Sequence, residues 1–227
     1  MGGLNFNREF RAALASKRCQ CEEEKKARAG RAAKAAKDAH IPSDPKKGPR
    51  TFYSWEGTAD NSDIYAATEA FVHGNMEEHI LVLVGTFGCG KSHLLEAAGR
   101  YYLGQGLRVR YDVVPDLLEE FRATFSDSSA PGIQAWLNWY KAQDLVLLDD
   151  LGMEKSTEWG VEKIVQIVDD RLREGRLTII ATNNTEEMMA AQVGPRLTSR
   201  LYQANKDLKD VRLVTTGAES WRNRGGA

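Results

Sequence analysis

The sequence predicts an α/β domain in which helices cover both faces of a parallel β-sheet. Two apolar runs, 80–84 and 145–148, are continuous rather than alternating, which is typical of strands buried on both faces. A glycine-rich turn joins the first run to a helical segment, and acidic residues follow the second run. Segments of helical periodicity separate one strand candidate from the next, so right-handed crossovers and a parallel sheet are expected.

Each element is predicted from the spacing of its apolar residues, which recur every three to four positions in helices and are continuous in buried strands. Proline and glycine clusters separate the segments. In chain order, the predicted elements are helix 64–72, strand 80–84, helix 91–103, strand 108–113, helices 115–125 and 133–141, strand 145–148, helix 157–174, strand 177–181, short helices 185–189 and 195–202, and strand 211–214.

Residues 1–40 are predicted to form a basic helical arm rather than a domain. They are rich in Ala, Lys, Arg and Glu, with few large apolar residues after Leu14. The helix is therefore expected to be exposed, or to fold only on a partner. A turn-rich segment and an aromatic patch follow, which separates the chain into the arm 1–40, a linker 41–60 and an α/β domain 61–227.

Charge is divided unevenly between the two parts of the chain. Residues 1–50 contain 13 Lys and Arg against 6 Asp and Glu, a net charge of +7, whereas residues 51–227 contain 18 against 26, a net charge of −8. The arm could therefore bind phosphates by itself, with an affinity that falls steeply as salt is added. No apolar run approaches the ~20 residues that span a bilayer, so a cytoplasmic protein without a membrane partner is expected.

Residues 85–92 read GTFGCGKS and match the phosphate-binding pattern G-x-x-x-x-G-K-[ST] between a strand and a helix. The glycines allow backbone N–H groups and the positive end of the helix dipole to converge on phosphate oxygens. Lys91 would reach the β- and γ-phosphates, and the Ser92 hydroxyl would bind Mg²⁺. The predicted nucleoside triphosphate site comprises Gly85, Thr86, Phe87, Gly88, Cys89, Gly90, Lys91, Ser92 and His93.

The cysteines have open alternatives. Three of them, Cys19, Cys21 and Cys89, are too few for a secreted disulfide framework. Zinc binding by Cys19 and Cys21 would need His40 and another ligand, or a second chain. For Cys89, one hypothesis is that alkylation blocks nucleotide binding, and the alternative is that a small residue simply fits in the loop.

The apolar strand 145–148 ends in Asp149 and Asp150, which is a Walker B pattern. Asp149 is predicted to hold the hydration shell of Mg²⁺, and Asp150 to orient and polarise the attacking water. Because Asp150 is one methylene shorter than the glutamate common at this position, hydrolysis is expected to be slow. The alternative is a strand end capped by solvated acids.

Strand 177–181 is followed by polar residues, including Asn183. Beside a phosphate loop, the Asn183 amide would lie next to the γ-phosphate and sense the nucleotide or help to position water. An asparagine after a strand is also a common helix cap, and this is the alternative interpretation.

Arg196 and Arg200 are four residues apart and therefore lie on one face of the predicted helix 195–202. An arginine that reaches the γ-phosphate of a neighbouring subunit would spread transition-state charge and couple hydrolysis to assembly. Most surface arginines have no such function, so the spacing alone leaves both interpretations open.

Aromatic and basic residues are interleaved between the second and third strands. Exposed rings could stack nucleobases at ~1–3 kcal/mol each. The i, i+3, i+4 spacing of three of them instead favours an apolar stripe packed on the sheet. The residues concerned are Arg122, Phe125, Trp136, Trp139, Tyr140 and Lys141.

Taken in order, the motifs GTFGCGKS, LVLLDDLGMEKSTEW, TIIATNN and GPRLTSRL resemble AAA+ helicase loaders of the DnaC and DnaI type, over roughly residues 41–227. The resemblance implies a P-loop NTPase fold, an αβα sandwich with a five-stranded parallel sheet and no C-terminal helical lid. It also implies ATP and Mg²⁺ as cofactors. Asn183 would be the sensor-1 residue, Arg200 an arginine finger acting in trans with Arg196 beside it, and Arg222 a candidate sensor-2 equivalent.

The function implied by this resemblance is that of an ATPase that assembles on a hexameric replicative helicase through the arm 1–40 and loads it onto single-stranded DNA. Two alternatives stay open, namely an IstB-type ATPase that regulates transposition and an ATP-gated adaptor with little turnover. The run DDLGMEK, 149–155, favours the loader, whereas Asp150 in place of glutamate leaves the adaptor conceivable.

Overall fold

The structure, a computed structural model, describes residues 26–44, 46, 48–126, 132–152, 158–203 and 210–218. Five parallel strands form one sheet in the order β2-β3-β4-β1-β5. The predicted α/β class and the five-stranded parallel sheet are confirmed. The strands are β1 (Ile80–Gly85), β2 (Val109–Val113), β3 (Leu145–Asp149), β4 (Leu177–Thr182) and β5 (Val211–Thr216).

Helices connect these strands close to the predicted positions. In the described part of the chain, none is long and apolar enough to cross a bilayer. A π-helical turn, Ser199–Gln203, replaces the second half of predicted helix 195–202. The helices are α1 (26–38), α2 (Ser62–Val72), α3 (Lys91–Gly104), α4 (Val114–Ser126), α5 (Ile133–Ala142), α6 (Glu158–Arg173), α7 (Glu186–Val193) and α8 (Pro195–Thr198).

The central strands are buried along their whole length because helices cover both faces of the sheet. Every residue of β1 and of β3 is buried. Ile80 and Val82 of β1 enter the core formed with α4 to α8, whereas Leu81 and Leu83 enter the core formed with α2 and α3. Each such side chain contributes about 1.5–3 kcal/mol of burial. The continuous apolar runs therefore serve two cores at once.

The end of the arm packs on the α/β domain. Residues 26–34 of α1 are exposed, as the composition predicts. Ala36 and Ala39, together with Ile41 of the linker, are buried in the core on the α3 side of the sheet. The Tyr111 backbone N–H on edge strand β2 donates to the Ala39 carbonyl at 2.9 Å. The division at residue 40, which stays a prediction, thus falls within a packed segment.

The aromatic stripe on α5 packs mainly against the sheet. Tyr140 is fully buried, and Trp136 packs against the core of that face. Trp139 is 39% exposed, and the Arg110 guanidinium lies 5.2 Å from its ring centroid. These contacts support the packing interpretation for Trp136 and Tyr140, and DNA stacking on Trp139 stays a prediction. The side chain of Phe125 lies outside the described residues.

Arg171 of α6 is a buried cation that sequence reasoning missed. Its side chain is fully buried, and burial lowers its pKa to about 10, so it remains charged at neutral pH. The guanidinium donates to the carbonyls of Tyr140 at 2.7 Å, Gln143 at 3.0 Å and Leu177 at 2.6 Å, and to the Thr178 hydroxyl at 2.9 Å. Arg171 therefore fastens the turn before β3 to the beginning of β4.

Replacing Arg171 with leucine should lower the free energy of unfolding by at least about 3 kcal/mol, because several buried acceptors would lose their donor. The matched control is Arg173→Leu, which removes an exposed arginine that pairs with Asp170 on the same helix. That change should cost less than about 1 kcal/mol. Urea unfolding of both variants measures the difference, and equal losses would contradict the role assigned to Arg171.

Candidate functional site

The strand order brings three predicted motifs to one edge of the sheet. Strand β4 pairs with β1 on one side and with β3 on the other. Because all strands are parallel, their carboxyl ends lie together. The glycine loop follows β1, Asn183 follows β4, and β3 ends in Asp149. Asn183 therefore lies just after the middle one of the three strands, between the loop and the acidic pair.

Backbone conformation in the glycine loop depends on its glycines. Gly88 and Gly90 have φ of +77° and +106°, where a side chain would be strained. A Cβ atom at Gly90 would also collide with the Trp55 ring. Helix α3 begins directly afterwards at Lys91, so the free N–H groups of its first turn face the loop. The loop thus has the form of an anion-binding turn at a helix N-terminus.

The Lys91 ammonium lies inside this loop and contacts the neighbouring strand end. Its Nζ atom donates to the carbonyls of Gly85 at 2.8 Å and Thr86 at 2.9 Å, and to the Asn183 Oδ1 atom at 2.6 Å. The side chain is 5% exposed. A phosphate chain in the loop would offer stronger, charged acceptors than these carbonyls. Lys91 and Asn183, 92 positions apart in the sequence, are thus in direct contact.

The nitrogen of the Asn183 amide is a hydrogen-bond donor without an acceptor in the described part of the chain. Its Nδ2 atom is buried and has no hydrogen-bond partner among the described residues. A buried amide donor without an acceptor is costly, about 1–3 kcal/mol, and calls for an explanation. Since Oδ1 accepts from the Lys91 ammonium, an anionic oxygen within reach of Nδ2 would satisfy the remaining donor of this amide. This arrangement suits a nucleotide phosphate.

The neighbouring amide, Asn184, has a structural function. Its Nδ2 atom donates to the Gly152 carbonyl at 3.1 Å and to the Gln192 side chain at 2.7 Å. The backbone carbonyl of Asn184 accepts from the Tyr202 hydroxyl. Helix α7 is capped by Thr185, whose hydroxyl accepts from the Met188 N–H. The helix-cap alternative for Asn183 is therefore wrong, because another residue caps this helix.

The acidic pair has a constrained geometry. Asp149 is 3% exposed, and its carboxylate accepts the Tyr111 hydroxyl at 2.5 Å and the Asp150 backbone N–H at 3.0 Å. Asp150 has φ of +56°, a left-handed conformation that costs a residue with a side chain about 1 kcal/mol. Such strain persists where surrounding contacts impose it. Asp149 is not a solvated strand cap, contrary to that alternative.

The linker lies over the beginning of α3. Trp55 stacks on Tyr65 with ring centroids 5.8 Å apart, and its ring meets His93 edge-on at 5.2 Å. The His93 Nε2 atom is 2.9 Å from the Thr51 carbonyl, and burial lowers the His93 pKa. The buried Asn61 amide donates to the carbonyl of Cys89 at 3.1 Å. The predicted aromatic patch thus covers one side of the loop, a location that sequence alone did not indicate.

An ion pair between a half-exposed arginine of the linker and a buried carboxylate of α3 was also missed. Glu96 is 3% exposed and accepts from the Arg50 guanidinium at 2.6 Å. Burial raises the pKa of Glu96, while Arg50 opposes that change. Because Arg50 belongs to the linker, this pair fastens the linker to the helix that begins with Lys91. No local sequence pattern links residues 46 positions apart.

Arg196 of α8 and Arg200 of the π-helical turn lie together, as their spacing predicts. Both contact α6. They contact the two oxygens of Asp169, Arg196 at 3.0 Å and Arg200 at 3.2 Å. Within the described ranges, neither is paired with a residue of the glycine loop. Both line a cleft of about 440 Å³ beside α6.

The structure describes some of the remaining predicted residues, whereas others lie outside the described ranges. Cys89 is 2% exposed, which supports a small residue that fits and disfavours a freely accessible thiol. Phe87 is exposed at the tip of the loop. Arg222, Cys19 and Cys21 lie outside the described residues, as does 153–157 of the acidic extension. In the described part, no cluster of His, Cys, Asp or Glu suits a bound metal by itself.

Comparisons with known proteins agree with this geometry. A family model described as IstB-like ATP binding protein matches residues 19–225. The replicative helicase loader DnaC of Buchnera aphidicola subsp. Acyrthosiphon pisum (strain APS) is 32% identical over 126 residues, which are 55% of this chain and 50% of that protein. The chain therefore spans about half the length of such relatives.

Solved structures share the fold. The AMPPCP-bound DnaA from Aquifex aeolicus aligns with a TM-score of 0.64 and 25% identity, over 76% of this chain and 50% of that chain. The crystal structure of the DnaC helicase loader aligns with a TM-score of 0.62 and 22% identity, over 74% of this chain and 96% of that chain. These likenesses confirm the predicted P-loop AAA+ fold.

The Asn183→Ala variant should keep its fold and weaken ATP binding more than ADP binding, because it removes an unsatisfied donor next to Lys91 that could donate to a terminal phosphate. The expected change in the ATP to ADP affinity ratio is about tenfold, the value of one hydrogen bond to a charged acceptor. Titration calorimetry with both nucleotides measures it.

The adjacent variant Asn184→Ala is the matched control. It should lower the free energy of unfolding by about 1–3 kcal/mol through its lost bonds to Gly152 and Gln192 and leave the affinity ratio unchanged. A parallel loss of ATP and ADP affinity in Asn183→Ala would contradict the proposed location of the terminal phosphate.

Proposed function

The chain belongs to the IstB-like ATP-binding family, and from this premise we propose that it is an ATP-dependent loader of a replicative DNA helicase onto single-stranded DNA. The observation that carries the ATP-dependent part is the hydrogen bond from Lys91 to the Asn183 Oδ1 atom at 2.6 Å, with the Nδ2 atom of the same amide left without a partner among the described residues. The loader part is supported by relatives named replicative helicase loader DnaC.

We propose that ATP binds in the glycine loop, with its phosphates held by the backbone N–H groups of 85–92 and by Lys91. Ser92 and Asp149 would hold Mg²⁺, which neutralises phosphate charge when bound. The Asn183 Nδ2 atom would donate to the terminal phosphate. The nucleotide would thus be bound by residues at the ends of three strands. Loss of the γ-phosphate would remove the acceptor of Asn183, whose Oδ1 atom also accepts from Lys91.

Asp150 is the proposed general base that orients the attacking water. Its carboxylate is one methylene shorter than that of glutamate, and its left-handed backbone aims the side chain differently from that of a regular strand residue. Turnover is therefore expected to be slow. If wild type and Asp150→Ala hydrolyse ATP at the same negligible rate, the ATP-gated adaptor would be the better description.

Arg200 is the proposed arginine finger, acting on the ATP of a neighbouring subunit. The support is that Arg200 pairs with Asp169 on α6 and with no described residue of its own glycine loop. A finger that is anchored by a carboxylate keeps its guanidinium at the surface, where a neighbour can approach. Hydrolysis would then require assembly, which suits a protein that acts on a ring-shaped partner.

The partner is proposed to contact the exposed part of the arm. Residues 1–50 carry a net charge of +7, and α1 is exposed over 26–34. The regulation of transposition remains the second candidate because the matching family model is named after IstB. The relatives named as helicase loaders favour the first candidate.

The Arg200→Ala variant should bind ATP normally but lose assembly-dependent hydrolysis about 10³-fold or more, as expected for an arginine finger. Mixing it with Lys91→Ala, which retains Arg200 but binds ATP poorly, should restore activity at the mixed interfaces. Steady-state phosphate release measures both effects. Arg173→Ala, which alters the same cleft, is the control and should hydrolyse normally. Failure of the mixture to recover activity would contradict action in trans.

The loading function can be tested with the purified hexameric replicative helicase of the host and circular single-stranded DNA. ATP with wild type should increase the amount of helicase that remains on the DNA, whereas Lys91→Ala should not. Separation of DNA-bound helicase by gel filtration measures the amount. Absence of any stable complex with the helicase, together with binding to a transposase, would favour the second candidate.

A further inference from the structure

Tyr111 lies on β2, the strand beside the one that ends in Asp149. The register pairs Tyr111 with Leu147 and Val113 with Asp149. Side chains alternate along a strand, so Tyr111 and Asp149 lie on the same face of the sheet, one step apart along the strands. A tyrosine is long enough to bridge that step. Its ring is 2% exposed, so the hydroxyl works in an environment closed to bulk water.

The Tyr111 hydroxyl donates to Oδ2 of Asp149 at 2.5 Å, and the Asp150 backbone N–H donates to Oδ1 at 3.0 Å. Each carboxylate oxygen therefore has its own donor, and rotation of the carboxylate would break at least one bond. Burial, followed by the charge of Asp149, raises the pKa of Tyr111 far above its ordinary value. The phenol consequently remains a donor at every physiological pH.

The tyrosine itself is fixed from the opposite side. Its backbone N–H donates to the Ala39 carbonyl at the end of the arm, at 2.9 Å. Its ring belongs to the core on the α3 side of the sheet. A donor held in this way imposes one orientation on its acceptor, since moving the phenol would disturb both the edge strand and the packed arm.

We propose that Tyr111 is a positioning residue that holds the Asp149 carboxylate in the orientation required to bind the divalent cation of a nucleotide. The inference deepens the proposed function and rests on its assignment of Asp149 to the metal. Residues that hydrogen-bond a metal ligand commonly contribute 10- to 100-fold to metal affinity. Tyr111 thus acts on the cation through Asp149 and does not touch the phosphates.

The structure supplies a matched control in Tyr140. Its hydroxyl donates to Oδ2 of Asp112, also at 2.5 Å, and the residue is fully buried. Asp112 pairs with Arg110 and is not at the end of β3. Tyr111→Phe and Tyr140→Phe therefore each remove one oxygen from a buried tyrosine–carboxylate bond of equal length. Only the first bond involves a proposed metal ligand.

The experiment measures Mn²⁺ binding by electron paramagnetic resonance with a nonhydrolysable ATP analogue present, and analogue binding in EDTA by fluorescence. Tyr111→Phe should weaken Mn²⁺ binding about tenfold and leave analogue affinity in EDTA unchanged. Tyr140→Phe should leave both unchanged, although its stability falls. In an Asp149→Asn background, Tyr111→Phe should have no further effect on Mn²⁺ affinity.

Two results would overturn the inference. One is an unchanged Mn²⁺ affinity in Tyr111→Phe, and the other is an equal loss in both tyrosine variants, which would indicate general destabilisation. Thermal unfolding of each variant identifies any failure to fold. Among the folded variants, the Asp149→Asn comparison then shows whether Tyr111 acts on the cation through Asp149. If wild type binds the analogue without any dependence on the cation, the assignment of Asp149 in the proposed function fails, which is distinct from failure of Tyr111 alone.

Discussion

Strand β4 lies between the strand that carries the glycine loop and the strand that ends in Asp149, and backbone hydrogen bonds hold the three in parallel register. The meeting of the glycine loop, Asn183 and the acidic pair at one edge of the sheet depends on this arrangement. The hydrogen bond from Lys91 to Asn183 joins two strand ends that only this pairing brings together. Parallel strands need covered faces, so the two apolar cores indirectly determine how accurately the polar edge is assembled.

Around that edge, most buried polar groups are satisfied by other residues, and the exception is informative. Asn184 and Tyr111 donate to acceptors within the fold, Asn184 to the Gly152 carbonyl after β3 and Tyr111 to Asp149 at the end of that strand. Asn183 differs because its Nδ2 atom is buried without a partner in the described part of the chain. A rigid surrounding network with one free donor is what a preorganised ligand site requires.

The N-terminal region connects the surface to this edge. Ala39 accepts from the Tyr111 backbone, and Arg50 pairs with Glu96 on the helix that begins at Lys91. Trp55 lies over the loop itself. The segment from the arm to the aromatic patch therefore touches both the strand beside Asp149 and the helix behind the loop. A partner that holds the exposed part of α1 would be only a few residues from these contacts.

Patterns along the chain were sufficient to predict the helices and strands and the two main motifs of the site. The GTFGCGKS loop and the apolar strand ending in Asp149 and Asp150 are runs of consecutive residues, so each can be recognised from the local sequence. The folded structure was needed to show that Asn183 contacts Lys91 while Thr185 caps the helix, since the short segment that contains them is compatible with either residue as the cap. The same holds for Tyr111 on Asp149 and for Arg200 on Asp169, because such contacts join distant positions and leave no periodic trace in the chain.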